Sequence, residues 1–345
     1  MGNLLSYSGT TTKIRAIRSR LLTPDNYREL ASSKNVTEAL AYLKKQPGYR
    51  DLFAGVEESG LHRSDIEKML TNAIYIDFQK IYRFAPVEQR KFLDLYFHRY
   101  EVSLLKTCMR MVFDHRDMTL DLRIFEAFFQ RHSDIDLRKL SASQSVEEFV
   151  ANLKGSIYYP ALMRLSSLPN PTLWDYEMAI DLFYFKWFWN NGEKTLSKAQ
   201  LKYFKEAYGT KMDLLNVRWI YRSRHYFQMT PADIYAHLIP VLFHLRREEV
   251  KAMVEAPGKD DFAAAVKRTY YGRHYEDYDA DTLDETYNVI RQNVQRKATA
   301  KDPYSVATVI SYLFEKEHEI DKLTIVLECV RYGLTPSEIL EYIKH

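Results

Sequence analysis

An all-α fold is what the 345-residue sequence predicts, and three observations predict it. Breakers are scarce, with 11 glycines and 11 prolines leaving long stretches uninterrupted. No pair of alternating apolar–polar segments is joined by an Asn-Gly hairpin turn. Apolar residues instead recur at spacings of three and four, and whole helical segments recur about 110 residues apart.

The elements follow in order. "LTPDNYREL" opens a helix: Thr23 is an N-cap candidate, Pro24 suits the first helical position, and Asp25 places a carboxylate against the helix dipole. The same device returns at Thr230-Pro231 with Asp233, and at Thr335-Pro336 with Glu338. The "LTP" at 22 and "MTP" at 229 are 207 residues apart, about twice the 105 separating 229 from 334. "SDIEKMLTNAIYIDFQKIYRF" carries Ile66, Met69, Leu70, Ala73, Ile74 and Ile81 on one stripe. The pattern continues through "VEQRKFLDLYFHRYEVSLLKTCMRMVFD" for about seven turns.

Two further segments keep the step. "VTEALAYLKKQPGY" (36–49), "VEEFVANLKGSIYY" (146–159) and "KDDFAAAVKRTYYG" (259–272) share an acidic start and an apolar-Lys pair. Those pairs are Leu43-Lys44, Leu153-Lys154 and Val266-Lys267, each followed by a tyrosine: Tyr49, Tyr158, and Tyr270 or Tyr271. The lysines read as the polar side of an amphipathic helix. "YEVSLLKTCMRMVF" (100–113), "TKMDLLNVRWIYR" (210–222) and "HEIDKLTIVLECV" (318–330) align with Val102, Met212 and Ile320 in register, then Leu105, Leu215 and Leu323, then Met109, Trp219 and Leu327. The expected organisation is three helical repeat domains, 1–118, 119–225 and 226–345, with the last short helix also assignable to the first. Boundaries fall near 118–129 and 224–233 with no Pro/Gly-rich linker, as in a contiguous body.

Composition narrows the function classes. Forty-nine basic against 46 acidic residues give a net charge of +3, with no strong pull toward nucleic acid or an anionic membrane. Cys108 and Cys329 lie far apart without a CxxC or CxxH companion, as buried free thiols of a reducing compartment would. No Gly-rich phosphate loop occurs. No stretch approaches the roughly 20 apolar residues of a membrane-spanning helix, since "DLFYFKWFWNN" is short and interrupted by Lys186. No secretory signal opens the sequence, and "MGNLLS" fits only the permissive myristoylation pattern at Gly2. These features predict a soluble intracellular protein.

The densest chemical candidate is "EKEHEIDK", where Glu315, Glu317, His318, Glu319 and Asp321 crowd one helix. His318 has carboxylates three residues to either side, a possible ligand face. The matched positions in the other repeats, Arg99-Tyr100-Glu101 and Gly209-Thr210-Lys211, share no ligand chemistry, so the cluster reads as a helix edge facing a partner. Arg222, Arg224 and Arg273, in His-, Tyr- and Arg-rich stretches, are further candidate partner contacts; acidic neighbours argue against a nucleic-acid surface. "YEMAIDLFYFKWFWNN" (176–191) reads first as core packing and second as a docking helix. Catalytic, cofactor and metal residues are expected to be none, with no small-molecule substrate.

The opening "TKIRAIRSRLLTPDNYRELASSKNVTEALAYLKKQPGY" resembles that of the C-subunit family of V-type/A-type ATPases, whose member in eukaryotic enzymes is called the d subunit, through Arg15, Arg18, Leu21, Leu22, Tyr27 and Leu30. The closing "EKEHEIDKLTIVLECVRYGLTPSEILEYI" resembles its other block through Glu319, Ile320, Leu323 and Gly333. Lys322, Thr324 and Glu328 depart from the Asn- or Arg-rich segment of many members. The resemblance implies a funnel of three similar helical domains about a pseudo-threefold axis. It further implies a non-catalytic rotor coupling subunit on the cytoplasmic face of the membrane, linking the central shaft to the rotor ring for ATP-driven proton or sodium transport. A generic α-helical repeat scaffold docking another partner is the alternative, and a metal-dependent enzyme centred on His318 a third.

Overall fold

The computed structural model describes residues 2–57, 61–115 and 125–344. Among them every regular element is a helix. The order begins α1 (Gly2–Arg18), α2 (Pro24–Ala31), α3 (Val36–Leu43), α4 (Arg63–Phe84) and α5 (Val87–Phe113). It continues with α6 (Glu126–His132), α7 (Leu137–Ser141), α8 (Val146–Asn152), α9 (Tyr159–Ser166), α10 (Leu173–Thr195) and α11 (Lys198–Phe204). A π-turn at Lys205–Gly209 leads into α12 (Thr210–His225), followed by α13 (Pro231–Ala236), α14 (Arg247–Val254), α15 (Lys259–Arg268) and α16 (Tyr270–His274). The chain ends with α17 (Leu283–Lys301), α18 (Val306–Arg331) and α19 (Pro336–Tyr342). No helix of the described residues is long and apolar enough to cross a membrane.

Contacts sort the chain into two compact units, one of residues 1–87, 121–128 and 296–345, the other of 88–120 and 129–295. The domain boundary expected at 118 lies outside the described residues. In the first unit, α18 packs on α1, α2, α3, α4 and α19. Its stripe of Ile320, Leu323, Val326 and Leu327 closes over Leu30, Leu40, Leu43, Phe53, Ile66 and Leu70. The second unit holds a core in which Val217 and Ile220 of α12 meet Met253, Val254, Phe262 and Val266 of α14 and α15.

Aromatic packing supplies much of the rest. Phe188 of α10 lies 4.9 Å from Phe204 and 4.8 Å from Tyr208, and Trp189 contacts Phe204 and Phe243. The tryptophan-rich helix is therefore packed into its unit, with Lys186 exposed at the break in the apolar run. Edge-to-face and tilted pairs of this kind add to area burial and stiffen the body.

Local chemistry at the Thr-Pro starts is as the sequence predicts. Thr23, Thr230 and Thr335 each accept the N–H three residues on, from Asn26, Asp233 and Glu338, at 3.3–3.4 Å. They do not occupy one place in the repeat, however. The helices in the position of α2 are α7 and α14, each followed by a second short helix, and their N-caps are Asp136 and Arg246. Helix capping is a local requirement that any helix start can satisfy, so a shared Thr-Pro does not fix the repeat phase. The apolar-Lys segments do fix it: Leu43, Leu153 and Val266 are buried, and so are Tyr49, Tyr158 and Tyr271.

Gly272 in α16 shows how tightly the third of these turns is wound. A Cβ there would stand 2.5 Å from the Val266 carbonyl oxygen and 2.6 Å from the Lys267 Cα, both backbone atoms with no rotamer to yield. Gly272→Ala is expected to destabilise by about 1–3 kcal/mol through overpacking. An unchanged thermal midpoint would contradict the close approach.

Candidate functional site

Three buried carboxylates organise the molecule. Glu319 on α18 is 5% exposed, Glu101 on α5 is 2% exposed and Asp213 on α12 is fully buried. Each sits on a long helix and receives the phenol of a tyrosine that follows a pair of short helices. Tyr49 donates to Glu319 at 2.5 Å, Tyr158 to Glu101 at 2.9 Å and Tyr271 to Asp213 at 2.9 Å.

The same carboxylates also hold the chain ahead of each short-helix pair. Glu319 accepts the Leu22 N–H at 2.5 Å, just before α2. Glu101 accepts the Ser133 hydroxyl, just before α7. Asp213 accepts the N–H groups of Phe243, His244 and Leu245 at 3.0, 2.6 and 3.1 Å, just before α14. A third link comes three residues earlier on two of the long helices. There Lys316 Nζ donates to Glu319 at 2.8 Å and His98 Nδ1 contacts Glu101, while the matching place on α12 is held by Thr210. Each knot thus ties a long helix, a connecting segment and a tyrosine into one module.

Burial sets the electrostatics. Desolvation, then the neighbouring carboxylate, pushes Tyr49, Tyr158 and Tyr271 well above the ordinary phenol range, which keeps each hydroxyl protonated as a donor. Asp213 is raised by desolvation, with the three backbone donors and Tyr271 pulling the other way. A buried carboxylate with several donors meets the rule that buried charge must be hydrogen-bonded.

Among the predicted contacts, Glu319 corrects the sequence reading: it points into the core instead of lying on an exposed edge. Glu315 bridges Arg18 Nε at 2.7 Å and the Ser311 hydroxyl at 2.8 Å. Glu317 and His318 are half-buried, with the His318 ring stacked on Phe314. Arg222 pairs with Asp284 at 3.0 Å, Arg224 donates to the Val254 and Ala256 carbonyls, and Arg273 lies 4.0 Å from Glu249. The α18 cluster lies in the first unit and the three arginines in the second. Among the described residues no group of three His, Cys, Asp or Glu is placed to hold a metal. Cys108 is buried and its thiol is pushed up to about 12 by desolvation, as an inert core thiol should be.

Glu101, Asp213, His98 and Lys316 are not legible as a set in the sequence. The register read across α5, α12 and α18 pairs Glu101 with Lys211, whereas the structure gives that role to Asp213, two residues later. Burial confirms the shift. Leu215 and Trp219 are only half-buried, while Val217 is as deeply buried as Leu105 and Leu323. The available signal is an acid 57 or 58 residues ahead of the module tyrosine in two copies.

Long helices locked to short-helix pairs by repeated internal knots define a helical structural protein whose ionisable core is spent on its own architecture. Residues 10–342 match the family model described as ATP synthase (C/AC39) subunit, and the chain belongs to that family. It is accordingly one of the subunits of a rotary ATPase, in a family that is structural and not catalytic. Among its relatives, the C subunit of the A-type ATP synthase of Methanobrevibacter smithii is 22% identical over 354 residues, covering 98% of this chain and 88% of the relative. That of Archaeoglobus fulgidus is 22% identical, covering 99% and 96%. That of Thermococcus kodakarensis is 20% identical, covering 98% and 90%.

Proposed function

We propose that the chain is the non-catalytic rotor coupling subunit of a V-type/A-type ATPase, joining the central shaft to the membrane rotor ring. The observation that carries this reading is the threefold carboxylate–tyrosine knot. A part that passes torque must resist shear between its helices, and each knot pins a long helix at a buried, multiply bonded point. Three equivalent modules are what a pseudo-threefold funnel of about 110-residue domains requires. Family membership over residues 10–342 supports the same role.

In this reading the protein sits peripherally on the cytoplasmic face, binds no nucleotide and moves no ion itself. Whether protons or sodium ions are driven is a property of the ring. Glu315, Glu317, His318, Arg222, Arg224 and Arg273 are proposed as contacts to neighbouring subunits. Arg222 and Arg273 have about half of their side chains exposed for that purpose. Capture of the affinity-tagged chain from native membranes tests the proposal. Rotor-ring and shaft subunits should be recovered together; their consistent absence would overturn it.

A further inference from the structure

We propose that the seam between α12 and α17 is a docking site for an acidic helix of a partner protein, one presenting two carboxylates a turn apart and an apolar residue a turn further on. The inference rests on the reading above that Arg222 faces a neighbouring subunit, and it names the chemistry that would meet it. Arg218, Arg222 and Tyr226 follow one another at steps of four along α12, which sets them in a row about 6 Å apart. Arg218 is half-buried, whereas the Arg222 side chain is 47% exposed. Tyr226 and Phe227 are 70% and 71% exposed, and both donate their N–H groups to the Arg222 carbonyl, at 2.9 and 3.2 Å. Two aromatic rings open to solvent therefore stand within a turn of an exposed guanidinium. Single exposed hydrophobics are ordinary, but adjacent aromatics beside an arginine have the composition of an interface anchor.

Asp284, in the first turn of α17, shows what the row accepts. Arg222 Nη2 donates to its two carboxylate oxygens at 3.1 and 3.0 Å, and Arg218 contacts the same group. A guanidinium carries more donors than a shared carboxylate can accept, so the two arginines keep capacity for a second acid. Beneath them the buried Tyr287 ring carries Arg218 at 4.6 Å and Arg291 at 5.0 Å, which holds the Arg218 guanidinium in place. An anionic membrane surface fits this seam less well. Asp281, Asp284 and Glu285 are all exposed at the start of α17, and across a plane their charges offset the arginines. A single carboxylate in the row meets guanidinium donors at contact distance instead, while Glu285 stands about 100° round the helix from Asp284.

The test titrates the purified full chain with a synthetic helical peptide that carries two glutamates four positions apart and a leucine four further on, and with the same peptide bearing glutamines. The wild type should bind the glutamate peptide in preference to the glutamine one. Arg222→Glu should weaken that binding by about fivefold to tenfold, the size of one or two partly exposed ion pairs. Asp284→Asn removes the internal competitor and should tighten it by about twofold to fivefold, a gain that damage to the fold would not produce. Lys139→Glu, the same charge change at an exposed lysine of α7, should leave it unchanged. Equal affinity for both peptides, no binding of either, or weaker binding by Asp284→Asn would overturn the proposal. So would phosphatidylserine vesicles that hold the wild type and release Arg222→Glu while the peptide fails to bind, since the row would then serve lipid. Capture from native membranes is read separately: absence of ring and shaft subunits there removes the coupling role, and the peptide titration decides the seam whatever that capture returns.

Discussion

Glu319→Ala is expected to destabilise the first unit by about 3–5 kcal/mol, because it leaves a buried partner group without its carboxylate. Lys316 is 3% exposed and donates to Glu319 at 2.8 Å, so removing the acid strands its amine in the core. The Leu22 N–H and the Tyr49 hydroxyl lose their acceptor in the same step. Glu319→Gln keeps an acceptor for either donor and should cost less, while Glu319→Leu paired with Lys316→Met should recover much of the loss by removing both polar groups together. Denaturant unfolding of the full chain measures the series. A shift of less than about 0.5 kcal/mol for Glu319→Ala, the size of an ordinary surface substitution, would remove Glu319 from the architecture.

Alkaline pH should unfold this protein more steeply than its arginine and lysine content alone would. Tyr49, Tyr158 and Tyr271 are all raised well above the ordinary phenol range by burial and then by the carboxylate beside them. A group raised in the folded state contributes its full stability below the unfolded value and loses it as pH climbs past that value. Unfolded tyrosine ionises near 10, so the loss begins at about pH 10 and amounts to about 1.4 kcal/mol per pH unit for each buried tyrosine. Tyr158→Phe should lose that share of the slope, although at neutral pH it is itself weakened by about 1.5–3 kcal/mol through the lost bond to a charged acceptor. Melting curves from about pH 9 to pH 11 compare the slopes. Parallel slopes for wild type and the three Phe variants would show that these phenols ionise freely in the folded protein.

The elements that can be read from the sequence are those whose cause is local or apolar. The Thr-Pro starts follow from capping chemistry, and Leu43, Leu153 and Val266 are identifiable because an apolar residue before a lysine marks where a helix turns from core to solvent. Tyr49 and Tyr158 stand out for the same reason. The knots are hidden by a sound expectation, since acids are almost never fully buried unless paired. Glu319, in a run with Glu315 and Glu317, looks like part of a solvated edge until the fold brings Tyr49 and Leu22 to it from about 270–300 residues away. Asp213 escapes notice for a different reason. The apolar residues around it permit two registers, and only the position of the carboxylate against Phe243, His244 and Leu245 selects one.

The first knot differs from its siblings in how much chain it encloses. Tyr158 and Tyr271 lie 57 and 58 residues from their carboxylates, whereas Tyr49 lies 270 residues from Glu319. The two later modules can therefore close soon after their residues leave the ribosome, while α2 and α3 must wait for α18. Long-range closure is entropically late and slow, and an unclosed apolar face is exposed to misassociation meanwhile. Residues 22–49 and α18 belong to one module, so α2 and α3 gain their buried carboxylate only once α18 has been made. A premature stop before α18 would spare the second unit's knots and leave α2 and α3 without the carboxylate that ties them down.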